Sequence, residues 1–254
     1  CRKPLEIDGL ICLLLGRPLS GWLSYVLVEL PVRPNVVTAV SLLFGLVAAA
    51  IGAHGGYKAF VSAGALLFFS WVLDNCDGEI ARVKFQGSRW GAWFDIYSDF
   101  ITNVAFVGAM AVGFYRVYGQ TYYLIAGGYT VAALAIYNGV VFRFIHKIGI
   151  PDEFLFQWWF DKEAEDSVAE EQPAKRRSFL SLTFSYIKYV GRRDFFIFAY
   201  FVTALLGILH WAFWATAIGA SYSLILTAVH LSKTRHSPAV QPSDSQKNTG
   251  CNGE

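Results

Sequence analysis

A chain of 254 residues that is 55% hydrophobic, 17% aromatic and only 16% charged, with a mean hydropathy of +0.41, does not have the composition of a soluble domain. It reads as a polytopic membrane protein, for which the expected fold is all-α. The formal net charge of +2 carries little information, and no nucleic-acid partner is expected. Cys1, Cys12, Cys76 and Cys251 have neither metal-ligand spacing nor a pairing pattern, and read as free thiols in a reducing compartment.

The chain starts at Cys1 and not at Met, so it reads as a trimmed piece or as the membrane half of a longer fusion. Charged residues scattered through the first 35 positions speak against a secretory signal. Residues 1–34 form the first unit, an interfacial amphipathic segment. Leu10, Leu13, Leu14, Leu19, Leu23, Val26, Leu27 and Leu30 recur there at helical spacing, interrupted by Glu6, Asp8, Arg17 and Glu29. Trp22 and Tyr25 suit the headgroup boundary, and Leu19–Val32 is too short to cross comfortably.

Residues 35–232 form the second unit, in which six transmembrane helices are predicted. They run Asn35–Ala53, Lys58–Val83, Gly91–Tyr115, Thr121–Ile145, Arg193–Leu209 and Trp211–Ser232, each near the ~20 residues a bilayer demands. Asn35 is the expected N-cap of the first, behind Pro34. A polar cytoplasmic insert, residues 147–188, carries DKEAEDSVAEE and then Lys175, Arg176 and Arg177. The tail, residues 233–254, is rich in Ser, Pro, Asn and Gln and reads as disordered. Of 21 Lys and Arg residues only Lys58 and Arg116 fall at the ends that would lie outside, leaving 21 − 2 = 19 at the termini and the other loops. The bias places both termini in the cytoplasm.

Within this apolar chain, DNCDGEIARVKFQGSRWGAWFDIYSD holds Asp74, Asp77, Asp95 and Asp99. The first pair is spaced i, i+3 and the second i, i+4, so each pair projects from one face of its helix. Such segments cannot turn four carboxylates to lipid, and intramembrane acids mark functional sites. Asp74 lies 16 residues beyond Lys58, ~24 Å up its span; Asp95 and Asp99 lie four and eight residues past Gly91, ~6 and ~12 Å from the cytoplasmic start of theirs. The pairs thus share a depth, in a cluster facing the cytoplasm. All-oxygen ligation there suits two divalent ions, Mg²⁺ or Mn²⁺.

Asp74, Asp77, Gly78, Ala81, Arg82, Gly91, Asp95 and Asp99 stand in the order D-x2-D-G-x2-A-R-x8-G-x3-D-x3-D. This resembles the CDP-alcohol phosphotransferase family, with no departure from its signature, and the likeness extends to Pro34, Asn35 and Thr38. The resemblance implies transfer of a phospho-alcohol group from a CDP-alcohol donor, of CDP-diacylglycerol or CDP-inositol type, to a small or lipid alcohol acceptor, with release of CMP. It implies Asp74, Asp77 and Asp95 as metal ligands, with Asp99 beside the metals and acting as general base. Gly78 and Gly91 leave room for the nucleotide, Ala81 stacks one turn above Asp77, and Arg82 offers a permanent cation to a phosphate. Asn35 and Thr38 are candidate nucleotide contacts.

Blander readings stand beside these. Arg82, Lys84 and Arg89 also fit positive-inside anchors, and Asn35 also fits a simple helix cap. Lys188, Arg192 and Arg193 are either anchors or the site for an acceptor phosphate. The single histidines have no ligand spacing. Two alternative functions are a cation transporter or channel using the acidic cluster, and a diphosphate-handling prenyltransferase. The first is opposed by the absence of ionisable residues continuing towards Lys58 or Arg116; the second by the single DxxD pair. The run DGEIARVKFQGSRWGAWFD with KPLEIDG most resembles the di-myo-inositol-phosphate-phosphate synthase branch, some of whose members carry a fused cytidylyltransferase. An inositol phosphate acceptor and a cytidylyltransferase partner follow from that likeness. Glycerol phosphate, inositol, serine and diacylglycerol remain open as acceptors, and a homodimer remains open as the assembly.

Overall fold

A computed structural model describes residues 11–149 and 193–234, and every regular element among them is helical. A π-helical turn, Cys12–Gly16, leads into α1 (Arg17–Glu29), with Pro18 in its first turn. The longer helices are α2 (Pro34–Gly52), α3 (Tyr57–Val83), α4 (Arg89–Tyr118) and α5 (Tyr122–Ile148); α6 (Arg193–Leu205) and α7 (Leu209–Thr234) follow. Five of them, α2 to α5 and α7, are long and apolar enough to cross a membrane. Of the six expected spans, the fifth corresponds to α6, which has 13 described residues and is not among these five.

Local chemistry sets the ends. Pro34 occupies the first turn of α2, and its ring holds Arg33 extended at φ −83°, ψ 147°. Asn35 therefore lies inside the helix and is not its N-cap, a correction to the reading from sequence. Ser88 caps α4 by accepting a hydrogen bond from the Gly91 N–H at 3.0 Å. Gly119 ends α4 in the left-handed region at φ 68°, where glycine carries no Cβ penalty.

The six helices from α2 to α7 close a ring: α2 packs on α3 and α4, α4 on α5, α5 on α7, α7 on α6, and α6 on α3, while α1 lies against α3 outside it. One half of the ring is filled by Phe60, Met110, Phe114, Tyr123 and Phe213, with Phe114 against Phe60, Tyr123 and Phe213 at centroid separations of 4.9, 5.2 and 5.4 Å. In that half the backbones of α2 and α4 approach directly. A Cβ on Gly113 would meet the Gly52 carbonyl and lie 2.9 Å from Phe60, and one on Gly55 would lie 2.6 Å from the Gly113 carbonyl. Large apolar side chains such as Ile101, Ile125, Ile136, Ile218 and Ile225 point outward and exposed, as on helices that face lipid. The chain is an integral membrane protein.

The turn between α3 and α4 is tied to two further helices. Lys84 Nζ donates to the Leu30 and Val32 carbonyls at 2.6 and 3.0 Å, catching the chain just beyond α1. Arg89 donates to the Gly149 carbonyl at the end of α5. Cations at such positions satisfy carbonyls that a helix end leaves without intrahelical donors. Both residues fit membrane anchors by sequence; their side chains serve as clips between helices.

Candidate active site

The acids gather at the end of the ring away from the aromatic fill. One ligand oxygen each from Asp74 on α3 and from Asp95 and Asp99 on α4 lie within 4.8 Å of one another. Asp77, one turn beyond Asp74, is buried at 7% exposure and accepts a hydrogen bond from the Thr38 hydroxyl of α2. Thr38 also reaches the Pro34 carbonyl at 3.3 Å. Beneath it, Ser41 donates to the Thr38 carbonyl at 2.9 Å and Ser70 to the Ser41 carbonyl at 2.7 Å, so these buried hydroxyls are satisfied by backbone.

Three buried polar atoms at this end have no hydrogen-bond partner among the described residues: Asp95 Oδ1, Arg82 Nε and Arg193 Nε. Stranding a buried polar atom is costly, so such atoms point to a missing ligand. For Asp95, an orphaned carboxylate oxygen beside two more carboxylates is the donor set a hard divalent cation takes. The residues present therefore fit Mg²⁺ or Mn²⁺. For Arg82, a stranded guanidinium N–H fits an anionic group.

The glycines divide into two kinds. A Cβ built on Gly78 meets nothing within 4 Å, so the space beside Asp77 is open. One built on Gly91 lies 2.6 Å from Asn35 Oδ1 and 3.0 Å from Ser88 Oγ. Gly91 is small because Asn35 is packed against it, which joins the first turns of α2 and α4. Ala81 is half-buried, one turn along α3 from Asp77.

Arg193 lies on the acids themselves. Its guanidinium pairs with Asp74 Oδ2 at 3.4 Å through Nη2, and with Asp99 Oδ2 through Nη1. The neighbouring Asp194 accepts from the buried Trp71 Nε1 at 3.1 Å, which ties α6 to α3 beside the cluster. Lys188 and Arg192 lie outside the described residues. Three further polar residues escaped the sequence reading: Arg17, Ser20 and Glu79, which meet on the far side of α3. Glu79 was visible inside the motif run, but no spacing rule connects it to Arg17, 62 residues earlier.

An apolar ring of helices with carboxylates gathered at one end is an acidic site whose donors suit a hard divalent cation. The family model for CDP-alcohol phosphatidyltransferase matches residues 31–155, so this stretch is a domain of that family of transferases. Its relatives include proteins named "Bifunctional IPC transferase and DIPP synthase". That of Archaeoglobus fulgidus is 28% identical over 227 residues, covering 88% of this chain and 38% of the relative. That of Aquifex aeolicus is 33% identical over 105 residues, covering 41% and 23%, and that of Thermococcus kodakarensis 28% over 182 residues, covering 72% and 38%. The chain thus spans less than two-fifths of the length of each of these relatives.

Proposed function

We propose that this chain transfers a phospho-alcohol group from a CDP-alcohol to an acceptor hydroxyl and releases CMP. The observation that carries the reading is the meeting of Asp74, Asp95 and Asp99 within 4.8 Å, with Asp77 held beside them by Thr38. Asp74, Asp77, Asp95 and Asp99 would hold two Mg²⁺ or Mn²⁺ ions. Bound there, the ions supply positive charge that offsets the diphosphate and the leaving CMP.

The chain's own residues divide the remaining work. Gly78 leaves space for the donor against α3, and Arg82 turns its unpartnered Nε towards the donor's phosphates. Asn35 and Thr38 border the same space from α2. Asp99 takes the proton of the acceptor hydroxyl, whose oxygen bonds to the phosphorus bearing the alcohol. The bond from that phosphorus to the bridging oxygen breaks, and CMP leaves with the electron pair. Arg193, already at the cluster, binds a phosphate on the acceptor, with Lys188 and Arg192 as candidate helpers.

The acceptor reading is an inositol phosphate, supported by the likeness to relatives named for DIPP synthesis. The word "bifunctional" in those names, with the share of their length that this chain leaves uncovered, supports a cytidylyltransferase on the same or a partner chain as the donor's source. In the membrane, α6 forms a sixth span, α1 lies at the interface, and both termini and the acids face the cytoplasm; the Lys and Arg bias supports this orientation. The test is CMP release by the purified chain, with labelled CDP-alcohols against a panel of acceptors. Turnover that requires Mg²⁺ or Mn²⁺ and stops in EDTA is expected. Full turnover in excess EDTA, or no CMP release with any donor while cations leak through proteoliposomes, would overturn the reading.

A further inference from the structure

Five acids lie between Asp74 and Asp99, and the site described above uses four. The fifth, Glu79, stands two residues past Asp77, which turns it about 200° around α3 and away from the cluster. Its Oε1 accepts from Arg17 Nη1 and from Ser20 Oγ, both at 2.9 Å and both from α1. The ion pair is largely enclosed, with the two side chains 19% and 17% exposed. Ser20 is fully buried, and its carbonyl faces Cys76 Sγ at 3.5 Å. Below these polar ties, Leu23, Leu27 and Val28 of α1 pack against Cys76 and Ile80. Apolar contact thus holds α1 on α3, and the Glu79 pair adds direction.

That direction matters because of Gly78. The space beside it is open, and glycine leaves a helical turn easier to deform. The deformable position lies between Asp77 and Glu79, each fixed from outside the helix: Asp77 by Thr38 of α2, Glu79 by two donors of α1. Arg17 also neutralises a carboxylate that would otherwise add a fifth negative charge near the cluster.

We infer that Glu79 is a positioning residue for the donor subsite, clamping the turn at Gly78 against α1 so that Asp77, Gly78 and Arg82 keep the orientation in which they meet the cytidine diphosphate. This rests on the transferase reading above, and the test separates the two. The full chain, purified in lipid nanodiscs, is titrated with CDP in the presence of Mn²⁺, and with Mn²⁺ alone. Wild-type protein that binds no CDP sinks the transferase reading and this inference with it.

Glu79→Ala is expected to weaken CDP binding and raise donor KM about 10-fold or more, with Mn²⁺ affinity without nucleotide falling less, because Thr38 still holds Asp77. Glu79→Gln keeps an oxygen for Ser20 and Arg17 and should restore CDP binding to within about threefold of wild type. Arg17→Met is expected to fall between, since the Ser20 hydrogen bond to Glu79 remains. CDP affinity within twofold of wild type in Glu79→Ala overturns the inference, and so does Glu79→Gln as damaged as Glu79→Ala. Should Glu79→Ala not fold, Arg17→Met and Ser20→Ala remove the donors one at a time; both binding CDP as wild type does would equally overturn it.

Discussion

Replacing Gly78 with alanine separates stability from function by sign. A Cβ at this position meets no heavy atom within 4 Å, so the substitution has no steric cost in the protein without substrate. Alanine is the better helix former by ~1 kcal/mol, and Gly78 lies well inside α3, so the variant should be as stable as the parent or up to that much more so. If the open space is where the donor lies, the same methyl intrudes on it. Overpacking by one methyl costs ~1–3 kcal/mol, which raises donor KM roughly 5- to 150-fold. Thermal unfolding without substrate and donor KM at saturating acceptor read the two effects separately. Unfolding at or above the wild-type temperature with a raised donor KM is expected. A donor KM within twofold of wild type would refute the placement of the nucleotide against Gly78, and a loss of stability would refute the reading of the space as open.

Thr38→Val keeps the volume of a buried side chain but removes the hydroxyl that Asp77 accepts from; a hydrogen bond to a charged group is worth ~1.5–3 kcal/mol, so Mn²⁺ titration should show affinity falling about 10-fold or more. Unchanged affinity would mean that the hydroxyl serves only the Pro34 carbonyl. Asp99→Asn should cut turnover ~10²-fold or more while Mn²⁺ and CDP affinity fall less than in Asp77→Asn, and a loss of binding as severe as there would make Asp99 chiefly a ligand. Arg193→Ala should raise acceptor KM about 10- to 150-fold and leave donor KM in place, measured at saturating partner; a rise confined to donor KM would move Arg193 to the other substrate.

Much of the architecture is legible in the chain because lipid-facing helices are written as long apolar windows with clear punctuation. Pro34 opens α2, Gly55 and Gly56 separate α2 from α3, and Gly119 and Gly149 close α4 and α5, so the expected spans fall within a few residues of the observed helices. The acids are legible for a related reason: spacings of three and four put each pair on one face, and an apolar setting leaves that face nowhere to go but inward. What cannot be read is which helices become neighbours. Nothing local shows that the Asn35 side chain meets Gly91 of α4. Lys84 and Arg89 look like anchors until the ends of α1 and α5 arrive within reach. Arg193, 119 residues from Asp74, pairs with it only because α6 closes the ring against α3.

The backbone approach of α2 and α4 at Gly52, Gly55 and Gly113 gives the bundle a fulcrum. With no side chains between them, the two helices cannot close further there, and Phe60 is wedged alongside. Asp95 lies 18 residues from Gly113, a lever arm of ~27 Å. A rotation of about 5° at the glycines would displace the acid-bearing end by about 2 Å, comparable to a metal–oxygen bond length. Close backbone packing at that fulcrum, remote from the chemistry, thus bears on where α4 holds Asp95 and Asp99.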